Sequence, residues 1–167
     1  SFQSTDAQVL RNIKRKNISY KQLAKLRDFN SPEFSNLEYW TELILPLPGD
    51  TLETHAESLR VCIDDLQMNN FDVYQLIVLP GTEMAETTYR DSYEFDVRYR
   101  VFIGCMGIYE IGDKMVPCAE IEETVVGTKS MSYNEYIESR VLGFLVKVFI
   151  DHDPFEEIFG LVEWMGL

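Results

Sequence analysis

The chain has 167 residues, a length that suits a single domain with a sizeable core. Apolar residues make up 46% and charged residues 26%, which is typical of globular proteins and excludes a disordered or collagen-like chain. The formal charge of −13 argues against a nucleic acid as partner, because binding to phosphates depends on clustered Lys and Arg. The longest apolar stretch, 141–150, is interrupted by Lys147 and is too short to span a bilayer.

The chain begins in residues 2–4 with what reads as the end of a strand, followed by a short helix that Thr5 would cap. A domain seldom opens in the last residues of a buried strand, so we expect the chain to be part of a longer polypeptide. A second helix is predicted from a cap at Ser19 to Pro32, which ends it.

Two apolar runs, 39–47 and 73–79, are predicted to be strands buried on both faces, as in a parallel sheet. Between them, 52–66 carries an amphipathic helical stripe that begins after a Pro-Gly-Asp turn. Strands and helices therefore alternate, which is the pattern of parallel βαβ units. Sheets of this kind bind their ligands at the carboxyl ends of the strands.

The second half of the chain has a different pattern. Residues 93–126 are rich in Tyr, Phe, Val and Ile and are predicted to form one or two extended segments. A helix is predicted over 133–150, with Ser132 and Glu135 as a capping box, and a last helix begins at Pro154. The fold class predicted from these patterns is α/β, with a mixed α+β region at the C-terminal end.

The three cysteines, Cys62, Cys105 and Cys118, are widely spaced and odd in number, which fits reduced intracellular thiols better than a disulfide framework. Neither they nor the two histidines have the spacing of a zinc site, so we predict no metal ligand in this chain. No signal-peptide pattern is visible, and we expect a cytoplasmic protein.

Polar residues stand at or in the predicted strands at Gln3, Glu42 and Gln75. The plain interpretation of each is a core polar group whose hydrogen bonds are satisfied within the protein. Three of them on successive parallel strands can also line one pocket. Arg15 is either the counter-charge for an anionic ligand or part of a solvated basic run. His55 is predicted to lie at the surface and is given no role.

Four stretches resemble the radical S-adenosylmethionine (SAM) superfamily, in particular the branch with an N-terminal cobalamin-binding domain. They are Ser-Phe-Gln-Ser-Thr-Asp, Asn-Ile-Lys-Arg-Lys-Asn, Glu-Leu-Ile-Leu-Pro-Leu-Pro-Gly-Asp-Thr and Gln-Leu-Ile-Val-Leu-Pro-Gly-Thr-Glu-Met. Their order and spacing together are specific. The resemblance covers about residues 1–90 and continues more weakly to the end.

The resemblance implies a partial parallel (β/α) barrel. Residues 1–90 would be its C-terminal half, about units four to six, and 91–167 an extension packed on it. Its partner would be the upstream half of the same polypeptide. Half a barrel exposes a sheet edge, which predicts a homodimer through that edge or C-terminal helices folded across it.

The resemblance also implies roles in SAM binding. Gln3, with Ser4 beside it, matches the residue that binds the ribose or methionine part. Arg15 matches the arginine that holds the methionine carboxylate, and a guanidinium can clamp a carboxylate with two hydrogen bonds. Glu42 matches an acidic residue that takes the ribose hydroxyls. Ile44 matches the apolar residue beside the adenine, and Ile77 falls where backbone groups bind the adenine edge.

Two departures from the family pattern limit what the chain can do. Pro46 stands where members often have Gly. The Cys-x-x-x-Cys-x-x-Cys motif for the [4Fe–4S] cluster is absent, so the chain ligates neither that cluster nor cobalamin and has no catalytic residue. The parent would cleave SAM reductively or methylate through cobalamin, whereas this part alone should be inactive.

A second hypothesis is a non-catalytic α/β binding or interaction domain that retains half a barrel. Its acidic surface would then meet a protein partner. A third, a small α/β hydrolase, is disfavoured because the sequence has no Gly-x-Ser-x-Gly motif and no credible Ser–His–Asp set.

Overall fold

A computed structural model describes residues 2–19, 22, 40–66, 68, 70–151 and 154–166. Most of the helix predicted between Ser19 and Pro32 lies outside these residues. The chain is a mixed α/β protein, and its described residues form one parallel and one antiparallel pair of strands. Within the ranges given, no helix has the length and apolar character needed to cross a membrane.

The first half alternates strands and helices, as predicted, and the second half consists of a hairpin and two helices. A π-helical turn, Val61–Asp65, continues the second helix, and a 3₁₀ turn, Glu83–Ala85, precedes the third. In chain order the elements are α1 (Ala7–Asn12), β1 (Thr41–Leu45), α2 (Leu52–Arg60), β2 (Phe71–Gln75), α3 (Thr87–Tyr93), β3 (Asp96–Ile111), β4 (Lys114–Gly127), α4 (Tyr133–Phe149) and α5 (Glu156–Trp164). The domain boundary predicted near residue 90 falls inside α3 and stays a prediction.

The capping box predicted for α4 is confirmed. Ser132 Oγ accepts a hydrogen bond from the Glu135 N–H, and the Glu135 carboxylate accepts one from the Ser132 N–H. The prediction for α1 is wrong by one residue, since Asp6 and not Thr5 is the N-cap. The Asp6 carboxylate accepts hydrogen bonds of 2.8 Å from the N–H groups of Gln8 and Val9, which is the role of an N-cap side chain.

The parallel sheet consists of β1, β2 and the residues that precede α1. β1 and β2 pair in register from Thr41 opposite Phe71 to Leu45 opposite Gln75. On the other side of β1, Gln3 forms a parallel bridge to Leu43. Residue 39 of the predicted run 39–47 lies outside the described residues. β1 ends before residue 47 because prolines follow it at 46 and 48, and proline has no N–H to donate to a ladder.

The chain continues past β2 as a link between the two sheets. Leu76 donates its N–H to Leu45 O at 2.8 Å and accepts from the Val125 N–H at 2.9 Å. Val78 then donates to Glu123 O at 2.9 Å. β4 is therefore the antiparallel neighbour of this segment, so the β3–β4 hairpin extends the sheet of the first half.

Helix α4 and Asp151, two residues beyond its end, cover the edge of β2 that β1 leaves free. Asp151 Oδ1 accepts from the Phe71 N–H at 2.7 Å, and Lys147 Nζ donates to Phe71 O at 2.8 Å. Arg140 donates to Val73 O at 2.8 Å. These side chains occupy polar groups that would otherwise offer a template for another strand. This edge is thus covered by a C-terminal helix, whereas homodimerisation stays a prediction.

The described residues form three clusters of buried apolar side chains, and α4 turns only one side towards them. Ile137, Val141, Phe144, Leu145 and Val148 share one face, as predicted, but that face is exposed. The first cluster packs α2 and α4 on the parallel sheet and includes Phe2, Leu43, Leu59, Cys62, Phe71 and Val146. The second joins α1 to the hairpin through Val9, Leu47, Leu76, Val78 and Val125, and the third contains Leu45, Val126, Met131 and Tyr136.

Candidate functional site

Three of the six predicted site residues are neighbours. Gln3 donates its N–H to Glu42 O at 2.8 Å and accepts from the Ile44 N–H at 2.9 Å. Glu42 and Ile44 project from the same face of β1, because alternate residues of a strand point the same way. The intervening residues of β1 are buried against the helices, whereas Glu42 and Ile44 are half-buried.

The other strand of the sheet adds polar and aromatic groups to the same face. Asp72 lies opposite Glu42 in the register, and Tyr74 lies opposite Ile44. Tyr74 is 47% exposed, and Trp40 Nε1 donates to Asp72 Oδ2 at 3.2 Å. We call these four strand residues, Glu42, Ile44, Asp72 and Tyr74, the open face. It is a partly exposed surface on which a ligand can lie.

Gln3 and Ser4 differ in what they leave free. Gln3 has φ of 58°, a left-handed conformation that non-glycine residues rarely adopt, and among the described residues its side-chain amide has no hydrogen-bond partner. Ser4 is 2% exposed and its oxygens are engaged. Its Oγ accepts from the Asp6 N–H at 3.1 Å, and its carbonyl accepts from Asn17 Nδ2 at 2.8 Å. Gln3 is therefore the better placed of the two for a ligand.

Arg15 lies in the segment after α1, with its side chain exposed. Its backbone N–H donates to Leu10 O at 2.8 Å. The neighbouring Lys14 pairs with Glu83 at 2.6 Å, but no ion pair of Arg15 is found within the described part of the chain. The structure does not bring Arg15 into contact with Gln3, yet its guanidinium remains available for an anionic group.

Ile77 follows β2 and lines a cleft beside α1. Its bridge to Thr124 leaves its own N–H and C=O without a hydrogen bond among the residues described. Such a pair can recognise the polar edge of a heterocycle. The cleft has a volume of about 280 Å³, and its other lining residues are Asn12, Ile13, Leu79, Thr82, Glu83, Met84 and Tyr89.

Gln75, the third polar strand residue, has its hydrogen bonds satisfied. Its Nε2 donates to the Tyr136 hydroxyl, and its Oε1 accepts from Arg100 at 2.8 Å. Arg100 also pairs with Glu122 at 2.6 Å. The plain interpretation is therefore the right one for Gln75, which ties β2 to α4 and to the hairpin.

The turn after β1 is fixed to the end of α1. Asn12 Nδ2 donates to Pro48 O at 2.8 Å. The next residue, Gly49, has φ of 88°, and a Cβ atom built there would lie 2.5 Å from Asn12 Nδ2. Both the conformation and the space at this position therefore require glycine.

We expect Gly49→Ala to lower the free energy of unfolding by about 1–3 kcal/mol, because it adds backbone strain and a clash with Asn12. Urea denaturation measures the change. Gly81→Ala is the matched control, since Gly81 has φ of 82° but open space around it. Equal losses in the two variants would show that the contact with Asn12 contributes nothing.

His55 is buried, so the prediction of a surface position is wrong. It is 2% exposed, and its Nδ1 lies 3.9 Å from Oδ2 of Asp50, which is also buried. Burial raises the pKa of Asp50 to about 7. Burial, together with the positive charge of Arg140, lowers the pKa of His55 to about 4. The sequence held a signal for this position, because His55 stands three residues after Leu52 and four before Leu59, on the apolar side of α2.

The comparisons with known proteins point to one kind of enzyme. The cobalamin-dependent radical SAM methyltransferase TokK of Streptomyces tokunonensis is 30% identical over 140 residues, which are 83% of this chain and 19% of that protein. The 2-(S-pantetheinyl)-carbapenam-3-carboxylate methyltransferase of Streptantibioticus cattleyicolor is 28% identical over 154 residues, which are 92% of this chain and 21% of that protein. No protein-family model matches the chain. The resemblance to radical SAM enzymes of the cobalamin-dependent branch is confirmed, and the chain spans about a fifth of the length of these relatives.

Proposed function

We propose that the chain is the C-terminal part of the barrel of a radical SAM methyltransferase and that it holds part of the SAM molecule. The observation that carries the proposal is the grouping of Gln3, Glu42 and Ile44 on neighbouring strands. These are residues that the resemblance assigns to SAM, in a chain similar over most of its length to two methyltransferases.

The topology supports a partial barrel. The residues around Gln3, β1 and β2 are adjacent and parallel, in the order expected for the fourth, fifth and sixth strands. α2 forms the crossover between β1 and β2, and it packs on the side of the sheet opposite the open face. The open face would then line the inside of the barrel. The hairpin, α4 and α5 would form the extension.

Each proposed contact pairs a group of the ligand with a side chain or backbone group of matching chemistry. The Glu42 carboxylate would accept hydrogen bonds from the ribose hydroxyls, and Arg15 would hold the methionine carboxylate. Ile44 would pack against the adenine ring, and the backbone of Ile77 would meet its polar edge. Gln3 would bind the ribose or the methionine part, with Ser4 fixing the backbone beside it.

The metal cofactors of the proposed parent do not fit this chain. Among the described residues, no group of three or more His, Cys, Asp or Glu side chains could hold a metal ion. Burial raises the pKa of the Cys62 thiol to about 12, which disfavours the thiolate that an iron ligand requires. The ligands of a [4Fe–4S] cluster, and the site of cobalamin, would belong to the upstream half of the polypeptide.

The alternative is a non-catalytic α/β binding or interaction domain. Such a domain would keep the fold but would not use Glu42 or Ile77 to bind SAM. A cytoplasmic location stays a prediction under either function.

Glu42→Gln should weaken SAM binding about 10- to 100-fold in the full-length product of the native gene, because hydrogen bonds to a charged acceptor are worth about 1.5–3 kcal/mol. Isothermal titration with SAM after anaerobic cluster reconstitution measures the affinity. Glu53→Gln is the matched control, since it makes the same charge change at an exposed position on α2. If both variants bind SAM as the wild type does, the proposed pocket is wrong.

A further inference from the structure

The distal part of the β3–β4 hairpin is an arm with little support from the rest of the chain. It begins after a break in register between Val101 and Met106, and we define it as Met106–Ala119. Its strands pair from Met106 opposite Ala119 to Ile111 opposite Lys114. Every residue of the arm except Gly107 is exposed.

Both faces of the arm are apolar. Side chains of a strand alternate between the two faces, and directly opposed residues share a face. One face carries Met106 and Ile108, which are 70% and 68% exposed, and the other carries Tyr109 and Ile111, which are 58% and 63% exposed. On β4, Met115 and Pro117 lie on the first of these faces, and Val116 and Cys118 lie on the second.

A two-stranded ribbon with both faces in water is marginally stable at best. Soluble proteins also rarely expose large contiguous apolar patches unless those patches bind something. The arm therefore needs a partner on both of its faces, which a cleft provides and a flat surface does not.

We propose that the arm inserts into an apolar cleft formed by the part of the same polypeptide that lies outside these 167 residues. This rests on the proposed function. The size of the two similar methyltransferases is consistent with such a cleft, because the region they share with this chain is about a fifth of each of them. The remaining four-fifths are large enough to form such a cleft.

Charge disfavours a second copy of the chain as the occupant. These 167 residues carry a formal charge of −13, which works against close contact between the same regions of two copies. The tip of the arm adds Glu110 and Asp113 to this, against the single cation Lys114. A cleft that receives this tip is expected to have basic residues at its rim.

A photo-crosslinking amino acid in place of Tyr109, in the full-length product of the native gene, tests the proposal. The expected result is a crosslink within one polypeptide to a peptide outside the 167 residues, found by mass spectrometry. Ile108→Lys should reduce the crosslink yield at least tenfold, whereas the matched control Ile108→Val should retain it.

Three results would overturn the proposal. A covalent dimer would show that a second copy covers the arm, and a crosslink within the 167 residues, or none at all, would show that the arm has no cleft. These results leave the proposed function intact if the gene encodes the cysteine motif upstream. A gene that encodes no upstream region would remove both proposals together.

Discussion

Asp50→Asn and His55→Gln are expected to change the pH dependence of stability in opposite directions. The folded-state pKa of Asp50 is raised to about 7 from 3.8, so its protonated form stabilises the fold at low pH and that contribution is lost as pH rises through 7. The folded-state pKa of His55 is lowered to about 4 from 6.5, so its contribution is present above 6.5 and is lost as pH falls through 4. Between pH 4 and 6.5 the two effects oppose each other in the wild type.

The variants separate these two contributions. Relative to the wild type, Asp50→Asn should gain stability as pH rises from 4 to 7, and His55→Gln should lose it as pH rises from 4 to 6.5. Each change should be on the order of 3 kcal/mol, since one pKa unit corresponds to about 1.4 kcal/mol. Urea denaturation at pH 4, 5, 6 and 7 measures both.

Comparison with the wild type at each pH cancels the contributions of the other titrating groups. For the double variant, the difference in unfolding free energy from the wild type should be nearly independent of pH. Parallel curves for the wild type and both variants would mean that neither side chain has a shifted pKa and that the pair is more exposed than the structure shows.

Asp151→Ala is expected to lower the free energy of unfolding by about 2–4 kcal/mol, because it leaves a buried N–H group without its acceptor and takes the nearer of two carboxylates away from a cation. The N–H is that of Phe71, and the cation is Lys147, whose Nζ lies 2.7 Å from Asp151 Oδ2. The loss of this carboxylate uncovers the edge of β2. We expect increased self-association as well, measured by light scattering alongside urea denaturation.

Asp151→Asn is the matched control. Its amide oxygen can still accept from Phe71 while the ion pair to Lys147 is lost, so the destabilisation should be clearly smaller. Equal effects of the two substitutions would show that the hydrogen bond to Phe71 does not contribute. No change in either variant would contradict the account of how this edge is covered.

The βαβ pattern of the first half could be predicted because each strand is apolar throughout and each helix has one apolar stripe. The hairpin could not be placed with the same precision, since both faces of its distal arm are apolar and the alternation that marks a half-buried strand is missing. The apolar stripe of α4 could be predicted from its helical spacing, but the sequence does not show that this stripe is exposed.

The sequence predicted which polar residues stand on the strands, but it did not predict which of their side chains are hydrogen-bonded within the protein. Residue type and spacing identified Gln3, Glu42 and Gln75, and the structure leaves the side chain of Gln3 open while it engages that of Gln75. That difference depends on Tyr136 and Arg100, which are 61 and 25 residues away from Gln75 in the chain. The surface position predicted for His55 is wrong because the buried side of α2 carries His55, Ser58 and Leu59.

The most direct test of the proposed function is the sequence of the native gene upstream of Ser1. The account predicts a Cys-x-x-x-Cys-x-x-Cys motif roughly one hundred residues before Ser1, within a βα pattern of typical unit length. Finding it would make this chain the back half of a radical SAM barrel. A reading frame that starts at or just before Ser1 would contradict the catalytic role and leave the interaction domain in its place.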